Sequence, residues 1–429
     1  MGRREIPIET AKAEPSTDPR LWWVRPGLEV RDGRLKVAGR DALSLARAAG
    51  TPLYVFDLLR IQEQIRSLQG ALSRAGLGHR VRLAMKAQRE PEVLAFVRGL
   101  GAAGTPESVG LDACSPGEVE HALAHGFLPE EISYTGTNVS ERDLDVLLRY
   151  PIHINVDLLS QLDRLGRRAP GRQVGIRLNP RAGAAWSGEQ NVTLYSGTKP
   201  GKFGIYPESL DEAVAIARRH DLKIVTAHFH VGDGYLSDAL PDLEVAASRV
   251  AEMVRRLKEL GCPIREVNTG GGLGVPQRPG EEPLDLDAWA AVFARHFGPL
   301  DVIVGCEPGD FLAKEAGHLL AEVVTVEDRM GIPFVGLDAG WNVINDHFIY
   351  DVPFEPVLCR AADAERTNVV TISGHINEGD DLFVEEHPFP PVEEGDIVAL
   401  VNVGGYNQAM SMPHCLRPNA EAVYFDDRV

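Results

Sequence analysis

The chain lacks the features that mark membrane, secreted and nucleic-acid-binding proteins. In its 429 residues, no apolar run approaches the roughly 20 residues that a helix needs to cross a bilayer. Residues 1–6 contain none of the apolar core that a signal peptide carries. The formal net charge of −18 argues against nucleic acid and anionic membrane surfaces as partners. We therefore expect a cytoplasmic protein with neither a nucleic-acid nor a membrane partner.

Cysteine is scarce as well. The five cysteines are Cys114, Cys262, Cys306, Cys359 and Cys415. None of them stands in a CxxC pair, and such pairs are typical of structural zinc sites. Scattered, unpaired cysteines are typical of proteins from reducing compartments. The sequence therefore predicts no disulfide framework and no bound metal.

Strand-like and helix-like segments alternate through the middle of the chain. The eight predicted strands are Val81–Met85, Val109–Ala113, Ile132–Tyr134, Ile152–Val156, Val174–Leu178, Ile224–Phe229, Glu266–Asn268 and Val302–Cys306. A helix or a helix start follows each of them, which predicts parallel βαβ units. Eight such units predict an α/β fold of the (β/α)8 TIM-barrel type. An open doubly wound sheet is the alternative, although it usually has fewer units.

From about residue 316 the helical periodicity disappears. The β-like segments there are 320–326, 334–338, 369–372, 397–401 and 422–425. We therefore expect a barrel over 51–315 and a C-terminal all-β domain over 316–429. Residues 1–50 are predicted to form a loose arm and a β-hairpin that packs on the C-terminal β domain. Asp32-Gly33 marks the turn of that hairpin.

Four features fall at the predicted C-terminal ends of barrel strands, where barrels of this type carry their active sites. Lys86 ends the first strand, His230 follows the sixth, Gly270–Gly272 follow the seventh and Glu307 follows the eighth. Consecutive glycines expose N–H groups that can surround an anion. The apolar neighbours of Lys86 predict desolvation, which lowers the pKa of an amine and makes it a nucleophile.

Each feature alone has a structural interpretation. Lys86 can be a surface lysine, Glu307 can shape a turn, and three glycines can form an ordinary strand-to-loop connection. His230 can be a core histidine, or it can bind metal together with His228, but no third ligand follows at a suitable spacing. Together the features predict pyridoxal 5′-phosphate. Its aldehyde needs a lysine, its pyridine nitrogen a carboxylate, and its phosphate a set of amides.

The motifs resemble, in content and order, those of the fold-type III pyridoxal-phosphate enzymes, specifically the diaminopimelate/ornithine/arginine decarboxylase family. The resemblance covers roughly residues 50–425. The matching segments are Ala84–Ala87, Lys202–Ile205, His230–Gly232, Gly270–Gly272, Glu307–Gly309, Asp338–Gly340, Gly374–Glu378 and Gly405–Tyr406. This resemblance implies an alanine racemase-like barrel, a C-terminal β domain and decarboxylation of an amino acid.

The resemblance also implies roles for individual residues. The cofactor-binding residues would be Lys86 as the Schiff-base lysine, His230 and Gly232 beside the ring, Gly270, Gly271 and Gly272 at the phosphate, Glu307 at the pyridine nitrogen, and Gly309 and Tyr406 near the phosphate. The catalytic residues would be Lys86, His230, Asn377 and Glu378. Members of the family are homodimers that complete each site with the second chain. Asn377 and Glu378 are therefore expected to serve the partner's site.

Departures from the family pattern are concentrated where the substrate would lie. Asp310 follows Glu-Pro-Gly and Asp346 follows Asp-Ala-Gly at positions where the family carries arginine. Asp233 stands where serine is common, and Asn377 stands where the family has a proton-donating cysteine. Aspartates repel a distal carboxylate that arginines would bind through two hydrogen bonds.

This charge inversion predicts a basic or amino-substituted amino acid as substrate rather than meso-diaminopimelate. The predicted substrate-binding residues are Asp310, Asp346, Tyr350, Asp351 and Glu378. Three alternatives stay open: a diaminopimelate decarboxylase proper, an amino-acid racemase or epimerase of the same fold, and a catalytically silent regulatory homologue. Retention of Lys86, His230 and Glu307 argues against the silent homologue.

Overall fold

The N-terminal elements form a small antiparallel sheet followed by a strand and a long helix. The structure, a computed structural model, describes residues 18–105, 107–184 and 199–429, so residues 1–17 of the predicted arm lie outside it. The first elements are β1 (Leu28–Arg31), β2 (Arg34–Val37), β3 (Arg40–Asp41), α1 (Ala42–Ala49), β4 (Leu53–Asp57) and α2 (Leu58–Arg74). Strands β1 and β2 form the predicted hairpin, in which Asp32 and Gly33 both have positive φ.

The eight predicted βα units form a closed barrel. Its strands are β5 (His79–Ala84), β6 (Val109–Ala113), β7 (Ile132–Gly136), β8 (His153–Val156), β9 (Gln173–Arg177), β10 (Lys223–His228), β11 (Glu266–Asn268) and β12 (Ile303–Cys306). Each strand pairs in parallel with its neighbours in the chain, and β12 closes the ring onto β5. The barrel prediction is therefore confirmed, and the open sheet is wrong.

Helices surround the barrel on the outside. They are α3 (Pro91–Arg98), α4 (Pro116–Ala124), α5 (Glu141–Leu147), α6 (Leu159–Arg168), α7 (Leu210–Arg219), α8 (Leu240–Glu259), α9 (Leu286–Phe297) and the short α10 (Asp310–Ala313). Side-chain caps define several of their starts; Ser115 accepts from the Glu118 N–H and Asp285 from the Ala288 N–H. Among the described residues, no helix is both long and apolar enough to span a membrane.

The C-terminal region is mostly sheet, as predicted. Its elements are β13 (Gly317–Arg329), β14 (Ile332–Leu337), α11 (Asp346–Tyr350), β15 (Glu355–Leu358), β16 (Asn368–Ser373), β17 (Leu382–Phe389), β18 (Ile397–Val401) and β19 (Glu421–Phe425). The sheet runs in the order β15-β18-β13-β14-β16-β17, and β4 joins it between β13 and β19. Strands β15 and β17 are absent from the predicted segments, because each contains a proline, which weakens a strand pattern.

Strand β4 lies at the predicted start of the barrel domain, residue 51. It pairs antiparallel with β13 and parallel with β19, so it belongs to the C-terminal sheet and not to the barrel. All five of its residues are buried. Its sequence therefore reads as a continuous apolar run like that of a barrel strand, and the pattern alone does not separate the two. We propose that the barrel domain begins with α2.

The N-terminal region packs on the C-terminal sheet. The Leu35 N–H donates to the Cys359 carbonyl at 3.0 Å, and the apolar side chains of β1, β2 and α1 share a buried cluster with those of β13, β15 and β18. Arg25 donates to the Glu315 carbonyl at 2.7 Å and to Asn402 Oδ1 at 2.5 Å. On the other side, Arg60 of α2 donates to the Glu315 carboxylate at 2.5 Å. Glu315 thus links the arm, the barrel and the sheet.

We predict that Glu315→Ala destabilises the protein by about 3–5 kcal/mol, because it leaves the largely buried Arg25 and Arg60 without their carboxylate. The measurement is the urea dependence of the first unfolding transition. Glu327→Ala is the matched control, since Glu327 pairs with Arg329 on the surface of β13 and both side chains are exposed. Equal shifts in the two variants would contradict the linking role.

Candidate active site

A cavity of about 550 Å³ opens at the C-terminal ends of the barrel strands, and a recess of about 60 Å³ continues it toward the barrel interior. The residues that line both parts are Lys86, Cys114, Thr135, Arg177, His230, Asp233, Gly234, Asp310 and Tyr406. The recess also exposes Gly271, Gly272, Glu307 and Gly309. The features that the sequence placed at separate strand ends therefore meet in one site.

Glu307 forms the floor of the recess. Its Oε2 lies 3.0 Å from His228 Nε2, and its Oε1 accepts a hydrogen bond of 2.5 Å from Asn268 Nδ2. Burial alone would raise the pKa of Glu307, but His228, Arg82 and Asn268 outweigh it and hold the pKa at about 2. A carboxylate that stays ionised at neutral pH suits a protonated pyridine nitrogen.

His230 is fixed through both of its ring nitrogens. The Gly271 N–H donates to Nδ1 at 3.2 Å, so the ring proton is assigned to Nε2, which donates to Asp233 Oδ1 at 3.2 Å. Burial lowers the pKa of His230 and keeps the ring neutral. Because both ring nitrogens are hydrogen-bonded, the faces of the imidazole ring are left to contact a flat ligand.

The glycine loop has two reasons for its composition. Gly270 and Gly272 have φ of +66° and +93°, which favours glycine. A Cβ on Gly271 would lie 2.5 Å from the Glu307 carbonyl oxygen, and one on Gly272 would lie 2.2 Å from that of Gly232. Backbone packing therefore requires these glycines. The Gly272 amide has no acceptor among the described residues, so it is available to an anion in the recess.

Lys86 extends into the cavity, where its side chain is solvent-accessible. The pKa of Lys86 is raised, and the largest cause is the neighbouring Tyr406. The predicted lowering of this pKa is therefore wrong in the free protein. The neighbours responsible come from other strands and loops, which the residues adjacent to Lys86 in sequence do not reveal.

Asp310 and Asp346 flank one buried lysine in the cavity wall. Lys314 Nζ lies 2.9 Å from Asp346 Oδ2 and 3.4 Å from Asp310 Oδ1. Burial would lower the pKa of Lys314, but the two carboxylates raise it overall. Tyr350 lines the same wall. The two aspartates that stand where the family carries arginines are thus partly neutralised by Lys314.

Several predicted site residues lie away from this cavity. Asn377 and Glu378 are exposed on the C-terminal domain, where Glu378 Oε1 lies 3.3 Å from His414 Nε2. Asp351 is exposed beyond the cavity lining, next to Tyr350. Gly232 and Gly270 lie behind the lining and shape the loops. Among the described residues, no group of three or more His, Cys, Asp or Glu could hold a metal ion.

Sequence analysis missed other residues of the site. They are Asp112, Cys114, Thr135, Arg177 and Gln277, and the structure adds His228 and Asn268 as partners of Glu307. Asp112 and Cys114 stand at the end of β6, and Arg177 ends β9. Their positions at the C-terminal ends of barrel strands could have identified them, because these strand ends all lie on the same face of the barrel.

A family model for the pyridoxal binding domain of pyridoxal-dependent decarboxylases matches residues 58–314. The chain belongs to this family. It is 34% identical over 408 residues to the diaminopimelate decarboxylase of Methanothermobacter thermautotrophicus. This alignment covers 93% of this chain and 92% of the relative. The diaminopimelate decarboxylase of Streptomyces coelicolor is 32% identical over 415 residues, covering 90% and 88% of the two chains.

Solved structures agree with this assignment. The diaminopimelate decarboxylase of M. jannaschii, in complex with L-lysine, has a TM-score of 0.82 and 27% identity and covers 93% of this chain and 92% of its own. The enzyme from Helicobacter pylori, also with L-lysine, has a TM-score of 0.80 and 26% identity, covering 89% and 93%. The protein is a PLP-dependent amino-acid decarboxylase, as the resemblance implied.

The residues present fit pyridoxal phosphate. Lys86 can hold the aldehyde, Glu307 the pyridine nitrogen, His230 a ring face, and the Gly272 amide the phosphate. When bound, the cofactor supplies an aldehyde for the amine and a ring that accepts electrons. These residues would bind and orient it, and the low pKa of Glu307 would keep the negative charge that a protonated ring nitrogen requires.

We predict that Lys86→Ala abolishes the absorbance band at roughly 420 nm that a lysine-bound pyridoxal phosphate gives. The measurement is a spectrum of the purified protein after incubation with the cofactor. Lys202→Ala is the matched control, because Lys202 lines the same cavity. Loss of the band in the Lys202 variant and its retention in the Lys86 variant would contradict the assignment.

A second prediction concerns acid stability. The folded pKa of Glu307, about 2, lies below its ordinary value of 4.5, so its ionised form stabilises the fold fully above pH 4.5 and progressively less as the pH falls toward 2. The stability difference between wild type and Glu307→Gln should therefore be constant from pH 5 to 8 and should shrink below that range. Urea unfolding midpoints across pH 3–8 measure it. A difference that grows on acidification would refute the low pKa.

Proposed function

We propose that this decarboxylase acts on an α-amino acid that carries a second amino or guanidino group at its distal end. The observation that supports the proposal is the pair of aspartates, Asp310 and Asp346, in the cavity wall around Lys314. Two carboxylates and one ammonium leave this wall with one net negative charge. A distal cation is attracted to such a wall, and a distal carboxylate is repelled.

Asp310 is the better placed of the two aspartates to meet substrate. Its side chain is 23% exposed, against 1% for that of Asp346, and its oxygen is the more distant one from Lys314. Asp346 is further held by the Asn407 side chain, which accepts from the Asp346 N–H at 2.9 Å. We infer that Asp346 fixes Lys314, whereas Asp310 contacts the distal amino group.

A second candidate is meso-diaminopimelate, the alternative that the relatives' names favour. Its second carboxylate would need a cation other than Lys314, which already pairs with two carboxylates. Lys202 and Arg177 both line the cavity, so they are the cations that would serve this candidate.

We also propose a homodimer in the cytoplasm. Asn377 and Glu378 are exposed and do not line the cavity of their own chain, which supports a role at the site of a second copy. All five cysteines are free in the structure, which supports a reducing compartment. Glu378 would add a further negative group at the distal end of the substrate.

We predict that the enzyme releases CO2 from L-lysine, L-ornithine or L-arginine at least 10-fold faster, as kcat/KM, than from meso-diaminopimelate. A tenfold preference corresponds to about 1.4 kcal/mol, which is modest for one ion pair in a partly buried site. Asp310→Asn should lower kcat/KM for the preferred basic amino acid, mainly through KM, because it removes a binding charge.

The matched control for this experiment is Asp351→Asn, which changes a neighbouring aspartate outside the cavity lining. This control variant, once purified, should have the same kcat/KM as the wild type. Turnover of meso-diaminopimelate at the highest rate in the panel would reject the proposed substrate class and establish the second candidate.

A further inference from the structure

A cysteine lies in the wall of the active site. Cys114, which directly follows β6, lines both the cavity and the recess, as does Lys86. In the described part of the chain, the other four cysteines lie outside this lining: Cys262, Cys306 and Cys359 are buried elsewhere and Cys415 is exposed. The thiol is therefore the one that can reach a molecule bound to Lys86.

The position of this thiol is fixed by its neighbours. The Cys114 N–H donates to Glu118 Oε2 at 2.6 Å, which ties the main chain to the start of α4. Cys114 Sγ lies 3.8 Å from Asp112 Oδ2. Asp112 is only 5% exposed, and its other oxygen, Oδ1, is buried without a hydrogen-bond partner among the described residues. Asp112 itself lines the recess.

Burial raises the pKa of both groups. It raises the pKa of the Cys114 thiol, and Lys86 opposes this only in part. Burial and the charge of Glu307 raise the pKa of Asp112 well above its usual range. A thiol next to a carboxyl group with a raised pKa is thus present at the wall of the cavity.

Decarboxylation requires that a proton be delivered to the substrate in this cavity. When the bond to the carboxyl group breaks and CO2 leaves, the electron pair stays with the substrate and the α-carbon must take a proton in its place. His230 is a poor source, because it is neutral and its Nε2 proton points to Asp233. Asn377 carries no acidic proton.

We propose that Cys114 donates this proton to the α-carbon and that Asp112 then reprotonates the sulfur. The S–H bond breaks as the C–H bond forms, the thiolate takes the carboxyl proton of Asp112, and Asp112 regains a proton from water. The net reaction consumes one solvent proton for each CO2 released. The role rests on the decarboxylase activity but not on which amino acid is the substrate.

The test compares Cys114→Ala, Cys114→Ser and wild type in D2O with whichever of L-lysine, L-ornithine, L-arginine and meso-diaminopimelate the wild type converts fastest. Wild type should place one deuterium at the former α-carbon in a single configuration. Both variants should lower kcat by roughly 100-fold, the lower end of what a general acid contributes, and give both configurations. Serine is the critical variant, because it restores the volume of the side chain but is a far weaker acid.

A second measurement uses the cofactor-free protein, so it does not depend on turnover. Iodoacetamide labelling between pH 7 and 9, located by mass spectrometry, should modify Cys114 at least 10-fold more slowly than the exposed Cys415, because only the thiolate reacts. Because the proposal requires Asp112 to carry a proton and therefore no charge, Asp112→Asn should change the labelling rate of neither Cys114 nor Cys415. A far-UV circular dichroism spectrum equal to that of the wild type shows that each variant is folded.

The outcomes separate the possibilities. Wild-type kcat and a single configuration in both Cys114 variants would overturn the proposal, as would recovery by serine alone, which indicates a space-filling role. Labelling of Cys114 as fast as that of Cys415 would also overturn it, since the sulfur would then be a thiolate. If the proposed substrate class is wrong, the wild-type enzyme instead prefers a different amino acid of the panel.

Discussion

The hydrogen-bonded carboxylate of Glu307 is the interaction on which the rest of the site depends. Removing a carboxylate from water costs several kcal/mol, and a buried one stays ionised only where its neighbours offset that cost. Here the donors are His228 and Asn268, on the adjacent strands β10 and β11. Below them, Arg82 pairs with Glu266 at 2.7 Å inside the barrel and adds positive charge. Barrel closure is what brings these four strands together.

This charge also sets the state of its neighbours. Burial and the charge of Glu307 raise the pKa of Asp112, whereas His228, Arg82 and Asn268 lower that of Glu307. Burial also raises the pKa of the Cys114 thiol beside Asp112. Two carboxyl groups with pKa values pushed in opposite directions are a common basis for separate roles in one active site. One of them binds a cation, while the other supplies a proton.

Much of the fold and part of the site could be predicted because they rest on local patterns. The barrel strands are short apolar runs with helices between them, and Lys86, the glycines and Glu307 stand directly at their ends. Strand β4 could not be assigned because its pairing partners lie more than 250 residues away and its pattern is that of any buried strand. The pKa of Lys86 was predicted wrongly for a related reason, since its determinants are spatial neighbours from other strands.

The electrostatics at the substrate end of the cavity could not be predicted from the sequence alone either. A change of arginine to aspartate can be read from one sequence, but its electrostatic effect depends on what lies beside it. Lys314 follows Asp310 by four residues, so it lies one helical turn away, and the fold brings Asp346 to its other side. Two aspartates alone would be a strong site for a divalent cation or a diamine. With Lys314 between them, they keep one net negative charge and form a weaker site for a cation. Under the proposed substrate class, this wall would both attract a distal ammonium through Asp310 and disfavour a second carboxylate, so binding and exclusion would act together.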